Sequence, residues 1–438
     1  MDSTIFHPAF KPRPYWWEAI PIGENPEVEL PAKSDVVIVG GGHTALNCAI
    51  ELARAGVAVV VLEAEDFGFG ASTRNGGAVS GGVNLGKGMS GAKSGGSDPA
   101  IRAMIGDAAE SFTHLEAVIA REGIECHYER RGRFVGAFTA KHYAGFAARV
   151  AMLNAAADAE AELVPRERQR EEIATDYYFG GMVIERSGKL HPGLYHRGLM
   201  AAAEQHGAVL VGRTRAGKLT RTGDGWSVET SRGTIAAREV VIATNGYTGG
   251  LTPDLQRRVI PLASHIIATE PLDPELAQSL IPKGRTISDT PRVLTYYRLS
   301  PDGTRVLFGG RARFTQVGPE VSAPALHAMM LARWPQLKGV RVTHAWTGNT
   351  AFSFDFLPHM GVTDKGLHYA MGCNGSGVAM LSYLGAQVGR KILGGANSIN
   401  AFDGRDFPTM PFYNGTPWFL PFVGSYYRLR DWLDRRVS

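Results

Sequence analysis

Two glycine-rich turns in the first eighty residues carry the pattern of a site for a dinucleotide diphosphate. Gly40 permits a tight turn, Gly42 allows the backbone to approach a pyrophosphate, and Ala45 is small enough for the following helix to pack on the strand. Glu63 follows about twenty residues later, where a carboxylate binds ribose hydroxyls and disfavours a 2′-phosphate. The predicted contacts of this first turn are Gly40, Gly42, His43, Thr44, Ala45 and Glu63.

The second turn reads GASTRNGG from Gly70 to Gly77. Small residues and one arginine directly after the ribose-binding strand suit a backbone that wraps a diphosphate and extends towards the reactive ring of a cofactor. A mobile surface loop would have a similar composition. The predicted cofactor contacts here are Ala71, Ser72, Thr73, Arg74, Asn75, Gly76 and Gly77.

The elements around the first turn form a strand, a helix and a second strand. The apolar runs 35–39 and 57–62 predict buried parallel strands, and the helical spacing over 44–55 ends at Gly56. A nicotinamide-dependent dehydrogenase would use the same fingerprint and continue as a doubly wound six-stranded sheet. Here a three-stranded meander over 218–237 precedes a strand at 240–243, and this favours FAD over NAD.

The length of 438 residues predicts two interleaved domains. Periodicity predicts helices over 98–122, about 140–161 and 192–206, and strands over 133–138 and 208–211. The charged run 165–172 is interpreted as solvated surface. We assign residues 1–97, 188–249 and 345–438 to a cofactor-binding domain, and residues 98–187 and 250–344 to a substrate-binding domain.

Composition argues against several functional classes. A net charge of only +4 gives no sign of a nucleic-acid partner, and no spacing of metal ligands occurs. Three separated cysteines fit a reducing compartment, and the lack of a signal peptide or of about eighteen consecutive apolar residues predicts a cytoplasmic protein without stable membrane insertion. Oligomeric state is not predicted.

Both ends of the chain are rich in aromatic residues. Tyr15-Trp16-Trp17 is predicted to be buried against the body of the protein, although these rings could also gate a pocket. The amphipathic segment 417–433 is expected to pack on its own domain, with contact to a membrane or to a partner subunit as the alternative.

These blocks together resemble the D-amino-acid oxidase superfamily of FAD-dependent oxidoreductases, and within it the gamma-glutamylputrescine oxidase branch. The resemblance rests on GGGHTA at 40–45, GASTRNGG at 70–77, ATNG at 243–246, PLASHIIATEPL at 261–272 and HAWTGNTAFSFDFLPHMG at 344–361. Ala45 and Thr73 stand where that branch has glycines. The resemblance covers most of the chain.

The resemblance implies an α/β fold in which an FAD-binding Rossmann-like domain of the glutathione-reductase type is interleaved with an α+β substrate domain with a mostly antiparallel sheet. It implies cofactor contacts from Thr244 and Asn245, and from a second close-approach loop before a helix over 378–393, comprising Gly372, Asn374, Gly375, Ser376 and Gly377. Relatives attach the flavin through a cysteine where this chain has 350–352, or through a histidine where it has Arg74-Asn75. Neither nucleophile is present, so we expect non-covalent FAD.

The activity implied by the resemblance is oxidation of a C–N bond in an amine or N-substituted amino acid, with hydride transfer to flavin N5 and hydrolysis of the imine product. The alternatives are a nicotinamide-dependent dehydrogenase and a flavoprotein with a non-amine substrate. Each candidate for the substrate pocket also has a structural interpretation as a core or surface residue. These candidates are His265, Tyr296, Tyr297, Arg298, Arg311, Trp346 and His359.

Overall fold

The computed structural model describes residues 5–23, 27–80, 99–395 and 400–436. Their strands are β1 (Phe6–Lys11), β2 (Lys33–Val39), β3 (Val59–Leu62), β4 (Ala78–Ser80), β5 (Arg133–Gly136), β6 (Ala161–Val164), β7 (Gly181–Ile184), β8 (Ser187–Lys189), β9 (Val209–Val211), β10 (Ala216–Thr222), β11 (Gly225–Thr230), β12 (Gly233–Ile242), β13 (Ile260–Thr269), β14 (Thr286–Asp289), β15 (Thr295–Leu299), β16 (Val306–Gly310), β17 (Val342–Phe352), β18 (His359–Val362) and β19 (His368–Met371).

The α-helices are α1 (His43–Arg54), α2 (Pro99–Arg121), α3 (Ala140–Ala144), α4 (Phe146–Ala157), α5 (Pro192–Gln205), α6 (Pro253–Gln256), α7 (Pro274–Leu280), α8 (Pro319–Arg333), α9 (Gly377–Ile392) and α10 (Leu420–Arg436). Within the described ranges, none of them combines the length and the apolar character needed to cross a bilayer.

One sheet has a parallel centre built from β19, β12, β2, β3 and β9. The first turn therefore leaves β2 between two parallel neighbours, with α1 behind it, as the sequence predicts. The predicted third strand of the meander and the predicted strand 240–243 are not separate elements. They form the single strand β12, whose first half pairs with β11 and whose second half is buried between β2 and β19. The charged pair Arg238-Glu239 separates the stretches 234–237 and 240–243, which is why the sequence suggested two strands.

The second sheet has nine strands in the order β1-β17-β13-β16-β15-β14-β5-β7-β6. Among its described strands, only the β1–β17 and β14–β5 pairs are parallel, so the sheet is mostly antiparallel, as predicted. The two sheets confirm the predicted fold class. The chain's first strand lies in this second sheet, although residues 1–97 were assigned to the other domain. The domain boundaries stay a prediction.

The prediction of one continuous helix over about 140–161 is wrong, because the structure has two helices there, α3 and α4. Residue Gly145 ends α3 and precedes α4, and the chain leaves α4 through Asp158, whose φ of +46° stops the helix. Alanine-rich composition with a single glycine masked this break. The charged run 165–172 is largely exposed, but Glu172 is buried and pairs with Lys283 and Arg285 at 2.5 and 2.6 Å.

The C-terminal helix α10 packs on its own chain along one face. Asp431 accepts hydrogen bonds from the backbone amides of Arg292 and Val293, and Arg435 donates to the carbonyl of Tyr177. The opposite face exposes large apolar side chains, namely Phe422, Tyr426, Leu429, Trp432 and Leu433.

Candidate functional site

A cavity of about 870 Å³ is lined by residues from both sheets. Its wall includes the first turn, the second turn, Thr244, Asn245 and the loop 372–377 except Gly372, together with Tyr296 and Arg311 from the second sheet. Ala45, Thr73 and Gly77 are buried and are not part of this lining. The structure therefore brings three distant segments of the chain to one cavity.

The first turn presents the N-terminus of α1 to this cavity. Gly40 has a φ of +106°, and a Cβ on Gly41 would lie 2.6 Å from the Phe67 ring. The backbone amide of Gly41 donates to Glu63 at 2.8 Å, which fixes the carboxylate beside the turn. Burial raises the pKa of Glu63. A helix N-terminus and a held carboxylate are the two features that a diphosphate and a ribose require.

The imidazole of His43 is buried at this N-terminus, and burial with the neighbouring His196 lowers its pKa to about 3. His196 is also kept neutral, because burial lowers its pKa to about 4, and it contacts the carbonyl of Gly41 at 2.8 Å. Neutral rings leave the helix dipole as the main positive electrostatic element at the turn.

Three tryptophan indoles donate hydrogen bonds to the second turn. Trp16 donates to the carbonyl of Asn75 at 2.8 Å, Trp17 donates to the Thr73 hydroxyl at 2.9 Å, and Trp346 donates to the carbonyl of Arg74 at 2.8 Å. The predicted burial of Trp16 is confirmed. The Arg74 guanidinium lies 4.7 Å from the centre of the Trp17 ring. The turn is thus fixed against the N-terminal segment and the second sheet.

The third segment combines the end of β12 with the loop before α9. The Asn245 side chain accepts from the backbone amide of Gly372 at 3.0 Å, and the backbone amide of Asn374 donates to Ala351 at 2.9 Å. Both asparagines have positive φ, +43° and +49°, a conformation that asparagine tolerates better than most residues. Gly377 begins α9, so a second helix N-terminus opens on the cavity.

These residues fit FAD. The His43 Nε2 and Thr44 Oγ1 atoms are buried without a hydrogen-bond partner in the described chain, and both residues line the cavity at the N-terminus of α1. A Cβ on Gly42 would lie 2.9 Å from the Ser72 hydroxyl, so the glycine keeps the two turns close. Unsatisfied polar atoms beside a helix N-terminus are suited to an anionic ligand.

On the second sheet, Tyr296 and Arg311 line the cavity. The Tyr296 ring covers Gly76 and Gly309, because a Cβ on either glycine would meet it at 2.9 Å or less. Its hydroxyl contacts the Ser264 hydroxyl at 2.8 Å, and burial raises its pKa to about 12. Arg311 stacks over Phe352 at 4.8 Å, and burial lowers its pKa.

Five other predicted pocket residues lie outside the cavity lining. His265 contacts the Thr347 hydroxyl at 2.9 Å, and Tyr297 stacks on Phe308 across the other face of the sheet. Arg298 donates to the carbonyls of Gly77 and Leu190, Trp346 binds the second turn, and His359 stacks on Phe407 at 4.1 Å. Their role as substrate contacts stays a prediction.

The sequence did not single out Arg133, Arg149 or Thr286, although all three line the cavity. Arg133 stands at the start of a strand and Arg149 in an alanine-rich helix, positions where an arginine is usually a surface charge. Arg133 and Arg149 reach the cavity wall only through the tertiary packing of α4 and the second sheet.

A family model described as FAD dependent oxidoreductase matches residues 35–390. The chain belongs to this family. It is 33% identical over 402 residues to gamma-glutamylputrescine oxidoreductase of Escherichia coli strain K12, covering 91% of this chain and 92% of that protein. FAD is therefore the cofactor, and the nicotinamide alternative is set aside.

Solved structures support the same fold. Glycine oxidase from Geobacillus kaustophilus superposes with a TM-score of 0.73 at 20% identity, covering 87% of this chain and 99% of that one. An L-amino acid deaminase from Proteus vulgaris gives a TM-score of 0.69 at 19% identity, with coverages of 91% and 99%. The resemblance inferred from the motifs is confirmed at the level of the family and the fold.

Proposed function

We propose that this FAD-dependent oxidoreductase oxidises the C–N bond of a small amine or N-substituted amino acid, and that the imine product then hydrolyses in water. One observation carries the proposal: a single cavity joins the dinucleotide-binding turns to Tyr296 and Arg311 on the second sheet. The likeness to gamma-glutamylputrescine oxidoreductase supports an amine substrate. When bound, FAD supplies the acceptor for the hydride that leaves the carbon next to nitrogen.

The chain's own contribution is to bind and orient the substrate and to select its neutral form. Six arginines line the cavity, namely Arg74, Arg133, Arg149, Arg215, Arg292 and Arg311. The acidic residues of the lining are Glu63 and Glu65 beside the first turn, and Asp289, which pairs with Arg333 at 2.8 Å. An excess of positive charge opposes an ammonium ion and favours the free amine, the form that can lose a hydride.

Tyr296 and Arg311 are the substrate contacts we propose. The Tyr296 ring forms an apolar wall beside Gly76, and the Arg311 guanidinium, which has no ion-pair partner in the described ranges, offers a planar donor to a carboxylate or carbonyl. We assign positioning roles to Arg298 and Trp346, since both hold the second turn. The cofactor contacts predicted from the sequence are retained in this proposal.

FAD is proposed to be held without a covalent bond, and the cytoplasm is retained as the predicted compartment. Anaerobic mixing of the FAD-loaded protein with a panel of primary amines, secondary amines and amino acids tests the function. Bleaching of the flavin absorbance by at least one amine supports it. Bleaching by no member of the panel contradicts it. Admitting oxygen afterwards shows whether the reduced protein is an oxidase or a dehydrogenase.

A further inference from the structure

Two arginines on the cavity wall have no ion-pair partner among the residues that the structure describes. Arg133 on β5 and Arg149 on α4 both line the cavity, and the Nε atom of each is buried without a hydrogen bond. Neither guanidinium forms an ion pair with any residue in the described part of the chain. A buried cation normally has a partner, because desolvation without compensation is costly.

The two guanidinium groups lie close enough to act on each other. Burial, and then the charge of Arg149, lower the pKa of Arg133 to about 10, and burial lowers the pKa of Arg149. Both groups carry a positive charge near neutral pH, because arginine is not deprotonated in proteins. Two like charges held together in a cavity wall create a strong local preference for an anion.

A hydroxyl completes the cluster. Thr286 on β14 is the register partner of Arg133 on β5, and its Oγ1 is buried without a hydrogen-bond partner in the described chain. Thr286 also lines the cavity. Two planar guanidinium groups and a hydroxyl form a donor set for a carboxylate or a phosphate.

Within the described ranges, no acidic residue pairs with either arginine. Glu63 and Glu65 belong to the first turn, and Asp289 is engaged by Arg333 and by the Thr295 amide at 2.9 Å. The segment 81–98, which lies outside the described residues, contains two lysines and one acidic residue, Asp98. The N-terminus of α1 already offers a binding site for the FAD diphosphate.

The cluster lies at a defined offset from Tyr296. Ser288, two residues after Thr286 on β14, pairs with Tyr296 on β15. Because Thr286 pairs with Arg133 on β5, Arg133 lies two strands away from Tyr296 and is displaced by two residues in the strand direction. With ordinary strand spacings, the Cα atoms of Arg133 and Tyr296 are about 12 Å apart. A ligand reaching both must be elongated.

We propose that Arg133, Arg149 and Thr286 form an anion subsite that binds a carboxylate at the end of the substrate remote from the oxidised C–N bond. This proposal rests on the proposed function, since it names the substrate class of the same cavity. The substrate is then an elongated amine with a distal carboxylate.

A matched pair of substrates tests the subsite. The first is a diamine acylated on one nitrogen by a chain that ends in a carboxylate, and the second ends in the neutral carboxamide. We expect the wild-type FAD-loaded protein to be reduced at least about tenfold more efficiently by the carboxylate. Arg133→Met and Arg149→Met should remove this preference, whereas Arg168→Met, at an exposed arginine, should keep it. Equal efficiency in the wild type, or an unchanged preference in both cavity variants, overturns the proposal.

Binding of glutarate, measured as a rise in Tm of the FAD-loaded protein, separates the subsite from the reaction. A rise that Arg133→Met and Arg149→Met abolish supports the subsite even if no amine bleaches the flavin, an outcome that would overturn only the proposed function. An equal rise with inorganic phosphate overturns the assignment to a carboxylate. Loss of FAD from the two variants overturns the proposal by assigning the arginines to the cofactor. Thr286→Val and Arg149→Lys are milder variants, should the methionine variants fail to fold, and a weaker response to glutarate in both is then required.

Discussion

The indole Nε1 of Trp346 donates a hydrogen bond of 2.8 Å to the carbonyl oxygen of Arg74. This bond joins the long strand β17 of the second sheet to the second glycine turn. A residue selected as a possible substrate contact is therefore attached to the loop on the cofactor side. The same attachment is repeated by Trp16 and Trp17 from the N-terminal segment.

Replacing Trp346 by Phe should loosen the second turn. We expect a loss of about 1 kcal/mol in stability, the usual contribution of one hydrogen bond, and weaker retention of FAD during gel filtration. Trp226→Phe is a matched control, because the Trp226 Nε1 is buried without a partner in the described residues and its removal costs no hydrogen bond. Equal FAD loss in both variants would contradict the role of Trp346.

Removing the charge of Glu63 should weaken cofactor binding. The Glu63→Gln variant keeps the shape of the side chain but replaces a charged acceptor with a neutral one. We expect the Kd for FAD to rise by about tenfold to a hundredfold, since hydrogen bonds to charged groups contribute about 1.5–3 kcal/mol. Titration of the apoprotein with FAD, followed by flavin fluorescence, measures the change. Glu204→Gln, at a residue outside the cavity lining, is the control.

Close packing of α1 against α9 should make Gly385 intolerant of a side chain. A Cβ there would lie 2.2 Å from the carbonyl oxygen of Thr44, a backbone atom that cannot move aside cheaply. We expect Gly385→Ala to lower the free energy of unfolding by about 1–3 kcal/mol. Gly250→Ala has no heavy atom within 4 Å of the added Cβ and should leave Tm nearly unchanged.

Acid precipitation should release the flavin into the supernatant. In relatives, a cysteine or a histidine attaches the flavin covalently. At the corresponding positions this chain has Thr350-Ala351-Phe352 and Arg74-Asn75. Cys373 does line the cavity, but burial raises the pKa of its thiol and disfavours the reactive thiolate. Flavin that stays with the precipitated chain would contradict this, and Cys373→Ser would then show whether the thiol is the attachment point.

Stability should fall as the pH drops below about 6.5. His43 and His196 have pKa values of about 3 and about 4 in the folded protein, against an ordinary value of 6.5. Between these values the unfolded chain binds protons that the folded chain does not, so acid favours unfolding. This contribution is fully present above pH 6.5 and amounts to a loss of about 2 kcal/mol for each histidine at pH 5.

Urea unfolding at pH 7.5, 6 and 5 measures this loss. His196→Gln should reduce the slope between pH 6.5 and 5, since glutamine does not titrate and its amide can donate to the Gly41 carbonyl. A slope identical to that of the wild type would contradict the assignment to His196.

Local sequence predicted the cofactor half of the site well, because its chemistry lies in short contiguous turns. Gly40, Gly42 and Glu63 have meaning within one strand–helix–strand unit, where spacing alone determines which groups meet. The substrate half depends on which face of a strand points inwards. Tyr296 and Tyr297 are adjacent in sequence, yet only the first lines the cavity, and only the packing of β14, β15 and β16 decides between them.

The same reason explains why Arg133 and Arg149 were missed. Their sequence neighbours predict an ordinary strand start and an ordinary alanine-rich helix. Their significance comes from the absence of a carboxylate partner within the described chain, which only the assembled structure reveals.

The parallel pairing of β1 with β17 has a consequence for biosynthesis. The first strand leaves the ribosome long before Val342–Phe352 has been made, and it has no other place in the sheet. The edge of the second sheet can therefore form only after about four-fifths of the chain has been synthesised. The hydrogen bond from Trp346 to the second turn must wait for the same point. Nascent chains stopped before that point should be unable to retain FAD.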